Sequence, residues 1–441
     1  MYLITNEKNH GFLVSVVVIA KRSLLSLEAI VEGGLCIGCG LCQAIAGTDG
    51  AGTNKIQFVL TPEGRERPIA RHTLDSSTVE RINSICPGIR VEGAAAAMPG
   101  SRAMHDVVWG PAQRLAVGFA CDPAVRHRAS AGGVLTALGQ FLLASGRAKF
   151  ILHVAASATQ PMRTERTLSF DAASVLEGAG SRYGPAAPLL NFTALLDRAE
   201  PFALIAKPCD IAAVRNLARL DARVNTYMRY ALTFVCGGAS DLTKSEEVAG
   251  ELGIAPEQLS LFRYRGHGNP GATRLEAKDG RSFELTYQQM WRDEATWRIQ
   301  PRCKICPDAI GESADIAASD AWPGGAPSGE NAGFNGIIVR TPRGLELYED
   351  ALAAGVIAVE PRQVGFREFD DFQPHQVHKK RAVWARLAGM RAAGCAVPDT
   401  VNLRLDECAR LNTVTQNLDE ARGARQRAQQ GRLGEPPAAA R

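Results

Sequence analysis

ALIAKPCDIAAVRNLARL, residues 203–220, decides how the chain is read. An apolar run of strand length stops at Lys207, Pro208, Cys209 and Asp210. Ile211, Val214, Leu217 and Leu220 then recur at helical spacing. Strand, short loop and helix in that order point to an α/β fold, in which ligands collect beyond the carboxyl ends of the strands. Cys209 stands at such an end. MRYALTFVCGGASDLTK (228–244) repeats the pattern, with Cys236 directly after an apolar run and before Gly-Gly, so both thiols are expected at one rim. Residues 134–157 read as a helix followed by a strand, and GFNGIIVRTPRGLELYEDALAAG (333–355) as a strand followed by a helix.

The chain has 441 residues, 46% hydrophobic and 22% charged, which suits two or three packed units and excludes fibres and wholesale disorder. Lys+Arg 50 against Asp+Glu 46 gives +4, spread along the chain with no basic footprint for nucleic acid. The apolar run Phe12 to Ala20 is nine residues long, against the ~20 needed for a membrane span. MYLITNEKNH before it is mixed in charge and lacks the form of a signal peptide. The expectation is a cytoplasmic protein whose first roughly 20 to 25 residues are either dispensable or contain a β-strand.

Eleven cysteines in a chain of cytosolic character suggest metal or catalysis rather than disulfides. Cys36, Cys39 and Cys42 in GLCIGCGLCQAIAG form C-x-x-C-x-x-C, the spacing that wraps three thiolates around one face of an iron–sulfur cubane. Where bacterial ferredoxins continue with x-x-x-C-P this chain has Ala46, so Cys86 of ICPG becomes the candidate fourth ligand. The stretch 49–70 between them reads as a hairpin-like insertion. Zinc is the alternative for four thiolates, but zinc sites usually come as two C-x-x-C pairs. Cys303 and Cys306 in PRCKICPD, with Cys209 and Cys236, make a second candidate quartet. Cys121, Cys395 and Cys408 have no partner spacing and read as packing or surface residues.

RHRASAGG (126–133) runs into a helix, with Ser130, Gly132 and Gly133 at its start. Such a start suits a pyrophosphate, although a serine before glycine is also an ordinary helix cap. In GAGSRYGPAAP, Ser181, Arg182 and Tyr183 offer an arginine for phosphate and a ring to cover a flavin face, or form a plain turn. FRYRGHGNPGATRLEAKDG is basic and Gly-rich, suited to an anionic ligand or to a solvated hairpin loop, with His267 in solvent.

Taken in chain order, CIGCGLCQAIAG with the later ICPG, RASAGGVLTAL, GSRYG, AKPCDIAAVRN, FVCGG, YRGHGNPG, CKICPD and ENAGFNGIIVRT resemble the coenzyme F420 hydrogenase/dehydrogenase beta-subunit family. That family includes 7-hydroxymethyl chlorophyll a reductase-like proteins, and the likeness runs from about Leu35 to Val377. The resemblance implies an iron–sulfur flavoprotein oxidoreductase with FAD and, here, two 4Fe–4S clusters. It sets Cys209, Cys236, Cys303 and Cys306 at the cluster beside the flavin and the N-terminal four at a ferredoxin-like cluster. Ser130, Gly132, Gly133, Ser181, Arg182 and Tyr183 match flavin-side segments, and Gly266, Asn269 and Gly271 a substrate loop. Two departures stand out: Ala131 replaces a serine of Ser-Ser-Gly-Gly, and Asn269 replaces the tryptophan of Gly-x-Gly-Trp-Pro-Gly, which changes what can stack at that loop.

The expected organisation is α/β with mixed α+β character. A ferredoxin-like module spans 28–99, a flavin-binding α/β unit 107–200, a cluster-bearing α/β unit 201–377, and a helical then disordered tail 378–441. Electrons are expected to pass between a hydride carrier at FAD, such as coenzyme F420, or a reducible metabolite, and clusters linked to ferredoxin or a partner redox subunit. Flavin is needed there because hydride carriers exchange two electrons and clusters one. The alternative is a non-catalytic electron-relay subunit of a larger complex. No catalytic acid or base is assigned.

Overall fold

The computed structural model describes residues 24–94, 103–291, 293 and 296–441. The Phe12 to Ala20 stretch and the expected module end at Pro99 lie outside them. The centre is one eight-stranded mixed sheet, whose strands run in space as Ile357–Val359, Arg114–Ala120, Asn335–Val339, Ile316–Asp320, Met228–Phe234, Phe202–Ile205, Phe150–Ala156 and Thr164–Ser169. From Ile316–Asp320 to Phe150–Ala156 the strands are parallel, and the flanking pairs are antiparallel. Continuous apolar runs explain the parallel centre, since such strands are covered on both faces. Phe202, Ala203 and Leu204 are all fully buried.

The Pro208–Leu217 helix follows its strand as the sequence implies, burying Ile211, Val214 and Leu217. Leu220 lies past the helix end and is 55% exposed, so it adds nothing to that face. The strands expected to form two α/β units share this sheet: Arg114–Ala120 pairs with Asn335–Val339 on one side and Ile357–Val359 on the other.

The N-terminal segment forms the expected hairpin, Ile56–Leu60 against Glu66–Ala70. Around it stand the helices Leu27–Glu32, Leu41–Ala46 and Ser76–Ile85, the last capped by Asp75. Its apolar residues share one core with Phe150, Phe202 and Val383. Helices Pro374–Ala392, Leu405–Arg410 and Val414–Gln429 follow the sheet.

The end read as disordered from its composition is instead laid along the N-terminal segment. Leu433 is buried, the Glu435 amide donates to Glu32 O at 2.9 Å, and the Arg441 amide donates to Leu60 O at 2.7 Å. Specific partners override the loop-like composition there. No helix among the described residues is long and apolar enough to cross a membrane.

A buried charge group ties the C-terminal helices to the sheet. The Glu312 carboxylate meets Lys380 and, at 2.6 Å, Arg404, while the Glu312 amide donates to Asp308. Removing one member strands charges out of water. Glu312→Gln is expected to cost about 3–5 kcal/mol, read as a lower urea midpoint for loss of tertiary structure. An unchanged midpoint would mean that Lys380 and Arg404 reach solvent.

Candidate functional site

Cys36, Cys39, Cys42 and Cys86 line one cavity, walled otherwise by Leu27, Ile30, Ile37, Phe58 and other apolar groups. About 380 Å³ of space there is not filled by atoms, the opening to solvent included. Two glycines make the turn around it possible. Gly38 and Gly40 have φ of +69° and +93°, and a Cβ on Gly40 would sit 2.6 Å from the Leu190 nitrogen. The Gly38 amide donates to Cys36 Sγ at 3.3 Å. Cys86 arrives from the end of the Ser76–Ile85 helix, with the Gly88 and Ile89 amides facing its sulfur.

Burial pushes the thiols of Cys36, Cys39 and Cys42 above their ordinary range and that of Cys86 to about 12. For Cys39, Cys42 and Cys86, repulsion from their neighbours in the quartet adds to the rise. Such thiols stay protonated unless a cation joins them, and a coordinated metal does that outright.

A second cavity, with about 400 Å³ of unfilled space including its opening, is lined by Cys209, Cys236, Cys303 and Cys306. Cys209 lies in the first turn of its helix and Cys236 two residues past its strand, at the carboxyl ends of two adjacent parallel strands, as the sequence implies. The short helix Pro301–Lys304 and the residues after it deliver the other two. The Ala239 amide points to Cys303 Sγ at 3.5 Å. Burial raises Cys209 and Cys306, and takes Cys236 to about 12. Lys207 and Lys379 stand at the wall, Lys207 paired with the buried Asp210 at 2.8 Å. Among the described residues no three His, Cys, Asp or Glu side chains are set to hold a single metal ion. Four cysteines line each of the two cavities.

The two cavities adjoin. Ile37, between the first two cysteines, lines both. Arg302, buried with its Nη2 donating to Pro87 O at 2.9 Å, favours the ionised form of Cys86 in one quartet and Cys306 in the other.

The segments around Ser130 and Ser181, read from sequence as flavin contacts, meet in the structure. Ser130 and Ser181 hydroxyls are 2.6 Å apart, and a Cβ on Gly132 would meet the Asn335 nitrogen at 2.7 Å. Gly133 opens the Val134–Ala144 helix with φ +79°. Tyr183 O accepts from the Ser240 amide at 3.2 Å, beside the Ala239 that lines the thiol cavity. Arg182, considered from sequence as a phosphate ligand, is otherwise engaged: it donates to Phe262 O, Pro161 O and Arg163 O at 2.7–2.9 Å.

The hub that sequence reasoning did not single out is Arg265. Nearly fully buried, it donates to Ser130 O (2.6 Å), Tyr183 Oη (3.2 Å), Pro270 O (3.0 Å) and both oxygens of Asp320 (3.0 and 3.2 Å). Its one visible signal is its place in the basic Gly-rich stretch. Within that loop a Cβ on Gly266 would press the Arg128 carbonyl, and one on Gly271 the Gly266 carbonyl. Asn269 is buried, donating to Asn331 and accepting from Trp322 Nε1 at 3.1 Å. An indole therefore does stand at this loop, brought by Trp322. His267 is exposed. Cys121 is exposed, and Cys408 is a buried thiol that donates to Val107 O.

Fold and site define a mixed α/β protein with one thiol-lined cavity at the rim of its sheet and another, adjoining it, in the N-terminal segment. Residues 115–193 match the family described as coenzyme F420 hydrogenase/dehydrogenase, beta subunit N-term, and residues 199–364 match the C terminus of the same beta subunit. Together these spans take in more than half of the chain, and the chain belongs to this family.

It is 26% identical over 245 residues to the F420-dependent formate dehydrogenase subunit beta of Methanocaldococcus jannaschii, covering 55% of this chain and 60% of that protein. To F420-dependent formate dehydrogenase 1 subunit beta of Methanococcus maripaludis it is 27% identical over 244 residues, 54% of this chain and 59% of that one. The chain thus spans about 60% of the curated relatives it matches. A chain of the xenon-derivatized F420-reducing NiFe hydrogenase complex of Methanosarcina barkeri aligns at 17% identity with a TM-score of 0.47, over 64% of this chain and 96% of that one.

Arg265→Met is expected to leave Asp320 without its fork partner and to lower stability by about 2–3 kcal/mol. Amide exchange should quicken at 126–133 and 266–272 in particular. Arg265→Lys should restore only part, because an ammonium cannot span these acceptors as a planar guanidinium does. Exchange that rises evenly across the protein would show Arg265 to be an ordinary core contact.

Proposed function

We propose that this chain is an iron–sulfur flavoprotein subunit of an oxidoreductase, passing electrons between a hydride carrier at FAD and two 4Fe–4S clusters. The observation that carries the reading is the pair of four-thiol cavities sharing Ile37. Cys36, Cys39, Cys42 and Cys86 hold one cluster, and Cys209, Cys236, Cys303 and Cys306 the other. Four thiols lining each cavity, three of them in the first at C-x-x-C-x-x-C spacing, suit several irons with bridging sulfides better than one tetrahedral zinc.

Flavin exchanges electrons in pairs with a hydride carrier and singly with a cluster, which is the conversion such a protein needs. Ser130, Gly132, Gly133, Ser181 and Tyr183 hold and orient it, fixed from behind by Arg265. Apolar walls exclude water from the first quartet, and amide hydrogens aimed at sulfur tune both. The residues would hold the groups in the order flavin segment, second quartet and first quartet, with Ile37 between the two quartets, and ferredoxin or a partner redox protein would exchange electrons with the protein at the first quartet. The hydride carrier we favour is coenzyme F420, because the relatives named above are F420-dependent formate dehydrogenase subunits. Gly266, Asn269, Gly271 and Trp322 would then shape its loop. The site is read as cytoplasmic.

Anaerobically purified protein is expected to carry about eight irons, eight sulfides and one FAD, with absorbance that bleaches on dithionite. Cys42→Ser and Cys303→Ser should each lower iron and sulfide by about half while FAD stays. A colourless protein loaded with zinc would overturn the reading. Loss of all iron in either variant would contradict two separate clusters.

A further inference from the structure

Arg67 and Glu435 are 368 residues apart and meet inside the protein. Arg67 is fully buried on the hairpin strand Glu66–Ala70. Its Nε and Nη2 donate to the two oxygens of Glu435, each at 2.7 Å. The same Nη2 donates to Gln300 Oε1 at 2.9 Å, and Gln300 lines the second thiol cavity and accepts the Cys303 amide on its backbone oxygen. Nη1 donates to Glu66 O at 2.8 Å and lies 3.2 Å from where a Cβ on Gly38 would be, at the residue whose amide reaches Cys36 Sγ. One guanidinium is therefore wedged between the two quartets, touching the loop of each, and a carboxylate from the C-terminal segment closes its outer side. Neither residue lies in a span that matches the family.

We infer that the Arg67–Glu435 pair sets the redox potential of the cluster at Cys36, Cys39, Cys42 and Cys86, the C-terminal segment supplying the negative half of that setting. The inference rests on the two-cluster reading above. A buried positive charge stabilises the reduced, more negative cluster, and Glu435 offsets that charge. Arg65 sits 3.5 Å from Glu435 but has Asp241 at 3.4 Å as its own counter-ion. Removing Glu435 accordingly leaves one net positive charge beside the first quartet. Arg67 and Glu435 are positioning residues here, acting on potential and touching no reacting atom.

The test is an anaerobic redox titration followed by electron paramagnetic resonance on full-length protein. Signals are assigned with Cys42→Ser and Cys303→Ser. In Glu435→Gln the reduced-to-oxidised ratio of the first cluster at a fixed potential should rise about tenfold, which is about 59 mV upward for a one-electron couple. The second cluster should move the same way by less. Glu435→Asp, which withdraws the carboxylate by one methylene and keeps its charge, should give a smaller rise.

Unchanged or lowered potentials in a variant with full iron would overturn the inference. So would loss of iron from the first quartet alone in both variants, because the pair would then be holding the turn rather than the potential. Wild-type protein without clusters would instead sink the reading on which the inference stands.

Discussion

Sulfur held out of water is the constraint to which the rest of this structure answers. A buried thiol keeps its proton, and ionised thiols set close together repel, so gathering four of them calls for positive charge and amide hydrogens at the same spot. The protein meets that demand with buried cations, which need anchors of their own. Arg302 is held by the carbonyls of Pro87 and Ile305. Arg67 is held by Glu66 O, Gln300 and Glu435. Lys207 leans on Asp210. Each thiol ring thus comes with a second layer of charge, and that layer fixes where the surrounding loops can go.

The sheet explains how distant parts of the chain reach these rings. Two parallel strands end side by side and carry Cys209 and Cys236 outward. The helix Pro374–Ala392 crosses above them, where Gln376 donates to Cys236 O and Lys379 to Gly237 O. On the opposite side the N-terminal turn packs down, with Leu189 N donating to Cys39 O at 2.8 Å. The site is consequently a seam between the N-terminal segment, the sheet rim and the C-terminal helices. A shared apolar core keeps that seam from opening.

Much of this was legible in the sequence, because the cysteines announce themselves by spacing and by the strand ends they follow. The hairpin between Cys42 and Cys86 was legible too, as were the helix after Lys207 and the burial of its Ile211, Val214 and Leu217. What escaped were single polar residues whose meaning lies in partners far along the chain. Arg265 looks like one more arginine in a basic loop until Ser130, Tyr183 and Asp320 surround it. Arg182, read from its neighbours as a phosphate ligand or part of a plain turn, donates to three backbone carbonyls that the sequence gives no sign of. Composition also misled at the C-terminus, where GRLGEPPAAAR has the look of a loose end and Leu433 and Glu435 nonetheless have fixed berths.

That last contact has a consequence in time. Synthesis runs from the N-terminus at about 5–20 residues per second, so Glu435 follows Arg67 out of the ribosome by roughly 20 to 70 s. Throughout that interval the first thiol ring can assemble its turn, its hairpin and its helix, but the guanidinium at its back has no carboxylate. The charge behind the first thiol quartet is thus balanced only by a residue made 368 positions after Arg67.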